Sequence, residues 1–199
     1  PFVAAGGEVV VDSVIRVDLE KKQLQTKSGA EFCYNKLVFA TGSKPVVPKF
    51  IPGYDLQGIE YIHKSYNYIK SLKEKTDAAT NIVIIGAGFI GVEMAEQLAK
   101  FKDKNVHLVE MLPHVLCAAF SEKLSVIADT AIQEQGVKLH TSTKVTEIVG
   151  HEGKATGVKL SDGQVLSADL VIMSIGYKPN TDLAKETGLE LNCNQAIVV

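Results

Sequence analysis

Three glycines and one acid are the residues best placed to do chemistry. Gly86, Gly88 and Gly91 stand in the spacing G-x-G-x-x-G, between the apolar run Ile82-Val83-Ile84-Ile85 and a segment of helical periodicity beginning at Phe89. Each glycine has its own physical task. Gly86 permits a tight turn, Gly88 lets a pyrophosphate approach the backbone, and Gly91 lets the helix pack close to the strand. Phosphates would then lie at the helix N-terminus, which Phe89 and Ile90 open, where free N–H groups and the helix dipole favour anions. Glu110 closes a second apolar strand, Val106 to Val109. Its distance past Gly91 matches the spacing of about 20 residues at which an acid binds an adenosine ribose. Its carboxylate accepts hydrogen bonds from the ribose hydroxyls and repels a 2′-phosphate. A ligand-free turn and an exposed acid would explain either piece alone. Strand, glycines, helix, strand and acid in this order point to a dinucleotide site.

The elements that must hold these residues read as α/β. Ile82 to Ile85 is β-branched and apolar throughout, the mark of a strand buried on both faces of a parallel sheet. From Phe89 onward, Ile90, Met94, Ala95 and Leu98 share one helical face. Tyr61 to Lys75 is expected as a helix with Tyr61, Ile69 and Leu72 inward, and Glu122 to Glu134 as another, closed by Gly136. Val137 to His140 is strand-like. Lys144 to Val149, Ala155 to Leu160 and Gln164 to Leu166 read as an antiparallel meander, and Leu170 to Ile175 as a buried strand ending at Gly176. Upstream, Glu8 to Val17, Leu24 to Thr26 and Glu31 to Tyr34 read as strands, and Leu37 to Ala40 as a short buried one leading into Thr41-Gly42. Pro45, Pro48, Pro52 and Gly53 make a stiff linker that suits a domain boundary.

Composition excludes several classes. Of 199 residues, 46% are hydrophobic and the net charge is −2, which is ordinary globular material. With no basic block, nucleic acid and anionic membrane are not the expected partners. The longest apolar run, Ile82 to Val92 counting glycine, is too short for a bilayer. Cys33, Cys117 and Cys193 form no C-x-x-C pair and no disulfide framework, so a reducing cytoplasm is the expected setting. None of the three begins a helix, where a thiolate would be stabilised. The five histidines show no metal-ligand spacing, so no metal is expected.

The β-rich parts repeat each other at a constant offset along the chain. Gly29 falls on Gly163, Gly42 on Gly176 and Pro45 on Pro179. On that offset Val14 falls on Ile148, Leu24 on Val158 and Val38 on Ile172. If the repeat is real, the first copy's own glycine motif is expected upstream of Pro1, and the chain is expected to be a piece of a larger protein with two dinucleotide-binding domains, one inserted in the other.

With Ala40-Thr41-Gly42 after an apolar strand, Ile51-Pro52-Gly53, Gly86-x-Gly88-x-x-Gly91-x-Glu93 and Ile175 to Asn180 together, the chain resembles the pyridine nucleotide–disulfide oxidoreductase family, the flavoproteins with two dinucleotide-binding domains. It looks most like the NADH oxidase and coenzyme A-disulfide reductase branch. The resemblance covers essentially the whole chain. It implies a Rossmann-like, three-layer NAD(H)-binding domain at 53–178, a partial FAD-binding domain at 1–52 and a return segment at 179–199. It also implies hydride transfer from NADH to FAD in the intact parent, itself expected to be a homodimer. Glu93 matches an acid beside the nicotinamide and flavin, although by itself it reads as a solvated helix residue. Gly176 matches the point where the closing strand passes the nucleotide, and Thr41-Gly42 the equivalent point on the FAD side. FAD is not expected in this chain alone, because the FAD glycine motif and the late Gly-Asp motif are missing, and so the chain alone is expected to be inactive. A reading from another class stands beside this one, an NADH-binding redox sensor or interaction module without turnover, and a further alternative is a ferredoxin- or rubredoxin-reductase-type flavoprotein.

Overall fold

A computed structural model of the chain describes residues 2–199. They divide into two compact units. One takes the chain up to Lys44 together with Lys178–Val199, and the other is Pro45–Tyr177.

In the first unit, β1 (Val14–Asp18), β2 (Gln23–Thr26) and β3 (Glu31–Cys33) form an antiparallel meander. The β2–β3 turn needs Gly29, whose φ of +90° lies in the left-handed region. Two expected strands are different here. Residues 8–13 are not strand, and pairing begins only at Val14. Leu37 to Ala40 forms no strand, and Val38 is 83% exposed. An apolar run becomes a buried strand only where a neighbouring ladder takes its N–H and C=O groups and a layer covers its side chains. Among the described residues no strand pairs with Leu37 to Ala40.

The chain passes into the second unit along β4 (Ser43–Pro45). The passage comes ahead of the prolines, not after Pro52 as expected from the linker composition. The cause is packing: Ile51 is buried with Ile148 and Val83, and the Pro52 carbonyl accepts the Ile148 N–H at 2.9 Å. The unit then runs β5 (Ile59–Tyr61), α1 (Tyr66–Ala78), β6 (Asn81–Ile85), α2 (Phe89–Ala99), β7 (Asn105–Val109), α3 (Glu122–Glu134) and β8 (Lys138–His140). It continues with β9 (Val145–His151), β10 (Lys154–Leu160), β11 (Val165–Ser167) and β12 (Leu170–Met173), and leaves along β13 (Tyr177–Pro179). Tyr61 belongs to β5 rather than to the first turn of a helix, because Ile59 to Tyr61 pair in parallel with Val171 to Met173. The helix starts only after Ser65. Leu72 is buried as its position predicts, but Ile69 is exposed.

Five parallel strands, in the order β5-β12-β6-β7-β8, form the middle layer. Helices cover one face and the β9–β11 meander the other. The alternation within β6 shows why its sequence is apolar throughout. Ile82 and Ile84 pack on the helix side with Ala95, Leu98 and Leu108. Val83 and Ile85 pack on the meander side with Ile148, Val158 and Leu160. A side chain of this size, fully buried, contributes about 1.5–3 kcal/mol. The chain is thus α/β with a Rossmann-like three-layer unit. The first unit is completed by α4 (Asp182–Glu186), whose Asp182 pairs with Lys44.

The internal repeat holds and shifts. Leu24 pairs with Phe32, and their counterparts in the second copy, Val158 and Leu166, pair likewise. The first strand departs from that offset. Val17 stands opposite Leu24, and Ile148 stands opposite Val158. Val17, not Val14, is therefore the equivalent of Ile148, because the β9–β10 hairpin is longer than the β1–β2 hairpin.

Candidate functional site

The glycine turn joins β6 to α2. Gly86 has φ +97°, and a Cβ on it would meet the Ser174 carbonyl oxygen at 2.7 Å. A Cβ on Gly91 would collide with the Gly86 carbonyl, so the helix lies against the turn that starts it. A Cβ on Gly88 would meet nothing within 4 Å. Of the three glycines, one turns, one leaves open space and one allows close packing. No side chain caps α2. Its first intrahelical bond runs from Val92 N to Gly88 O, which leaves the N–H groups of Phe89, Ile90 and Gly91 without a partner inside the helix. That is a ready position for an anion.

Glu110 follows β7, next to this turn. Its two carboxylate oxygens accept the Ala87 N–H at 2.7 Å and the Leu112 N–H at 2.9 Å. The Glu110 N–H donates to the His140 carbonyl at 2.8 Å. The acid is thus fixed from three directions, and each oxygen keeps a lone pair for a hydroxyl. A vicinal diol fits such a pair of acceptors.

A cavity of about 690 Å³ opens at the carboxyl ends of β6, β7 and β12 and is lined by Gly86, Gly88, Glu110, Met111, Ser174, Ile175 and Gly176, among others. From β6 the chain goes to β7 on one side, and β12 lies on the other. This is the point of an open parallel sheet where ligands bind. The remaining wall comes from residues outside the glycine motif and its ribose acid. Ser174 reaches the Ile85 and Gly86 carbonyls with its hydroxyl, at 3.1 and 2.7 Å, and so braces the turn. Thr143, Lys144 and Val145 enter from the start of the meander, and Val46, Phe50 and Ile51 from the proline stretch. The β6–α2–β7 part is local enough for the glycine motif to reveal it.

Not every expected residue meets at this cavity. The Phe89 ring lines a smaller cavity of about 300 Å³ on the other side of Glu110, together with His114 and Cys117. His114 is taken up there by Asp129 at 2.7 Å. The Ile90 side chain packs into the helix-side core, so only its backbone faces the turn. Glu93 is exposed on α2 and lines a groove with Phe89, Val92, Glu96 and Leu116. Its carboxylate makes no hydrogen bond or ion pair among the described residues. Thr41 and Gly42 lie in the other unit. There the Thr41 hydroxyl donates to the Asn180 carbonyl at 2.5 Å, and Gly42, at φ +69°, has open space where a side chain would be. All three cysteines are free. Among the described residues no group of three or more His, Cys, Asp or Glu could hold a metal, and no helix is long and apolar enough to cross a membrane.

Residues 4–199 match the family model described as pyridine nucleotide-disulphide oxidoreductase. The chain belongs to that family. A fellow member, rhodocoxin reductase of Rhodococcus erythropolis, is 34% identical over 180 residues, which is 90% of this chain and 41% of that protein. A ferredoxin reductase from Rhodopseudomonas palustris superposes with a TM-score of 0.89 at 29% identity, over 100% of this chain and 48% of its own. A water-forming NADH oxidase from Lactobacillus brevis, solved bound to NADH, gives a TM-score of 0.80 at 29% identity, over 94% of this chain and 41% of its own. This family member therefore spans less than half the length of each of these relatives.

Proposed function

We propose that the Pro45–Tyr177 unit binds NADH, and that the chain is the NADH-binding portion of an FAD-dependent pyridine nucleotide oxidoreductase of the NADH oxidase or ferredoxin-reductase kind. The observation that carries this reading is the placement of Glu110. A fixed carboxylate and the open space at Gly88, the N-cap of the uncapped α2, border one cavity at the carboxyl edge of the sheet. The adenosine ribose fits the acid, and the pyrophosphate fits the N–H groups of Phe89, Ile90 and Gly91. The names of the relatives, a reductase and an NADH oxidase, support the same reading.

In this reading the flavin is held in the intact parent, with Thr41 and Gly42 on the FAD side, where Gly42 has open space in place of a side chain. When both cofactors are bound, hydride passes from the nicotinamide to the flavin. In this reading Gly176 lets the closing strand pass the nucleotide, and Glu93, exposed and unpaired one turn into α2, is the acid beside the reacting rings. The protein's task is to hold and orient these groups.

The test is calorimetry with NADH and NADPH. The carboxylate's hydrogen bonds to the ribose are worth roughly 1.5–3 kcal/mol. Glu110→Ala should therefore weaken NADH binding about ten- to a hundredfold. Tighter binding of NADPH than of NADH by the unmutated protein overturns the assignment.

A further inference from the structure

The large cavity is lined by two charged side chains, Glu110 and Lys144. Glu110 has an evident task, and Lys144 has none within the protein. Its backbone is held on two sides. On one, the loop before it is laced to the segment after β7, with Thr143 N donating to Glu110 O at 3.0 Å and Ser142 N to Leu112 O at 2.9 Å. On the other, Lys144 N donates to the Ser161 hydroxyl at 3.1 Å, and Ser161 N to Lys144 O at 2.8 Å. The side chain is different. Its ammonium makes no hydrogen bond or ion pair among the described residues. Lys73, Lys75 and Lys100, on or beside the helices, are each paired with an acid.

A solvated surface lysine ordinarily does nothing. This one stands on the wall of a concave site that already contains a carboxylate, and the ligand proposed for that site brings a pyrophosphate with two negative charges. The α2 N-terminus offsets only about half an elementary charge. A full positive charge on the same wall would offset more of the anion's charge and of its repulsion by Glu110.

We propose that Lys144 is a phosphate-binding residue of this cavity, the cation that compensates Glu110 and draws the phosphates of the dinucleotide in. The inference rests on the NADH-binding reading and goes beyond it, because it assigns a residue that no glycine motif contains. The phosphate concerned is either the pyrophosphate, present in every dinucleotide, or the 2′-phosphate of NADPH, and the ligands of the test separate them.

The experiment compares Lys144→Gln, Lys144→Arg and the unmutated chain by calorimetry at low salt and at about 0.3 M salt. The ligands are ADP-ribose, 2′-phospho-ADP-ribose and adenosine. Lys144 is exposed, so its replacement should leave the thermal midpoint in place. In Lys144→Gln, ADP-ribose should bind about two- to fivefold more weakly at low salt. The gap should narrow at high salt as screening shortens the reach of the charge. Adenosine should be unaffected, and Lys144→Arg should restore affinity. Loss in both phosphate ligands assigns the pyrophosphate, and loss in 2′-phospho-ADP-ribose alone assigns the 2′-phosphate. Unchanged affinities for both, or an equal loss for adenosine, overturn the proposal. If the unmutated chain binds none of the three ligands, the NADH reading itself fails, and that result is distinct from a failure of Lys144.

Discussion

Leu24 faces Phe32 in the first meander as Val158 faces Leu166 in the second, and the turns between these strands use Gly29 and Gly163 at φ +90° and +89°. The two ladders are locally the same object. Their surroundings are not. The second meander lies on a parallel sheet and buries Ile148, Ala155, Val158, Leu160 and Leu166. In the first unit, Val14 and Ile15 are exposed and the buried residues are few, Val17 and Ala184 among the apolar ones. Hairpin register is set by turn geometry and nearest neighbours, whereas burial is set by the layer beneath. Of these two terms, the second carries most of the free energy.

The largest expected effect tests that contrast at equivalent positions. Ile148→Ala should cost the Pro45–Tyr177 unit about 2–5 kcal/mol. Val17→Ala should cost the other unit no more than about 1.5 kcal/mol. Amide hydrogen exchange read separately on β10 and β2 resolves the two losses. Equal losses would show that the first meander is as well supported as the second.

An intermediate effect comes from acid. All five histidines fall within Pro45–Tyr177. His107 and His140, on neighbouring strands, place Nδ1 and Nε2 2.9 Å apart with their rings stacked. That contact needs a lone pair on one side. Burial, then the His140 ring beside it, brings His107 down to about 4. Burial also lowers His140, with Lys138 acting in the same direction and Asp162 against it. With folded values below the unfolded value of about 6.5, the unfolded state binds more protons as the solution is acidified. Stability is therefore complete above about pH 6.5 and is lost as the pH falls toward 4. The first unit has no histidine to lose. Its Asp12, held down to about 2 chiefly by the Ser28 hydroxyl, stays ionised through that window. Exchange protection measured from pH 7 to pH 4 should fall in the second unit and hold in the first. An imidazole signal of His107 titrating near 6.5 would break this expectation.

The smallest effect is at Val38, which the repeat sets on the fully buried Ile172 yet which is itself exposed. Val38→Ser should change the thermal midpoint by an amount equivalent to less than about 0.5 kcal/mol. A loss comparable to that of a core substitution would mean that Val38 is covered in solution.

The parts of the fold legible in the sequence are those whose causes lie within a few residues. The run from Asn81 through Gly91 carries its strand, turn and helix in its own spacing. α3 lies on the expected bounds, Glu122–Glu134, because its periodicity is complete and Gly136, at φ +91°, ends it. Leu37 to Ala40 has the composition of a buried strand but no pairing partner to make it one. Tyr61 joined a helical pattern by spacing and a strand by its pairing with Met173. In the site, the glycines and Glu110 were legible, and Ser174, Thr143 and Lys144 were not, since they reach the cavity from strands and loops far along the chain. Glu93 is proposed through the family resemblance alone, and nothing in its own environment distinguishes it from other exposed helix acids.

The brace on the glycine turn has a consequence in time. Ser174, whose hydroxyl and carbonyl enclose Gly86, follows it by 88 residues. At a ribosomal pace of about 5–20 residues per second, the turn emerges roughly 4 to 18 s before its brace. During that interval β6 has no β12 beside it, and the glycine turn lacks the Ser174 hydroxyl that braces it. In the NADH-binding reading proposed above, a nucleotide would bind late, to a sheet already closed, and would act as a seal on the finished unit rather than as a template for it.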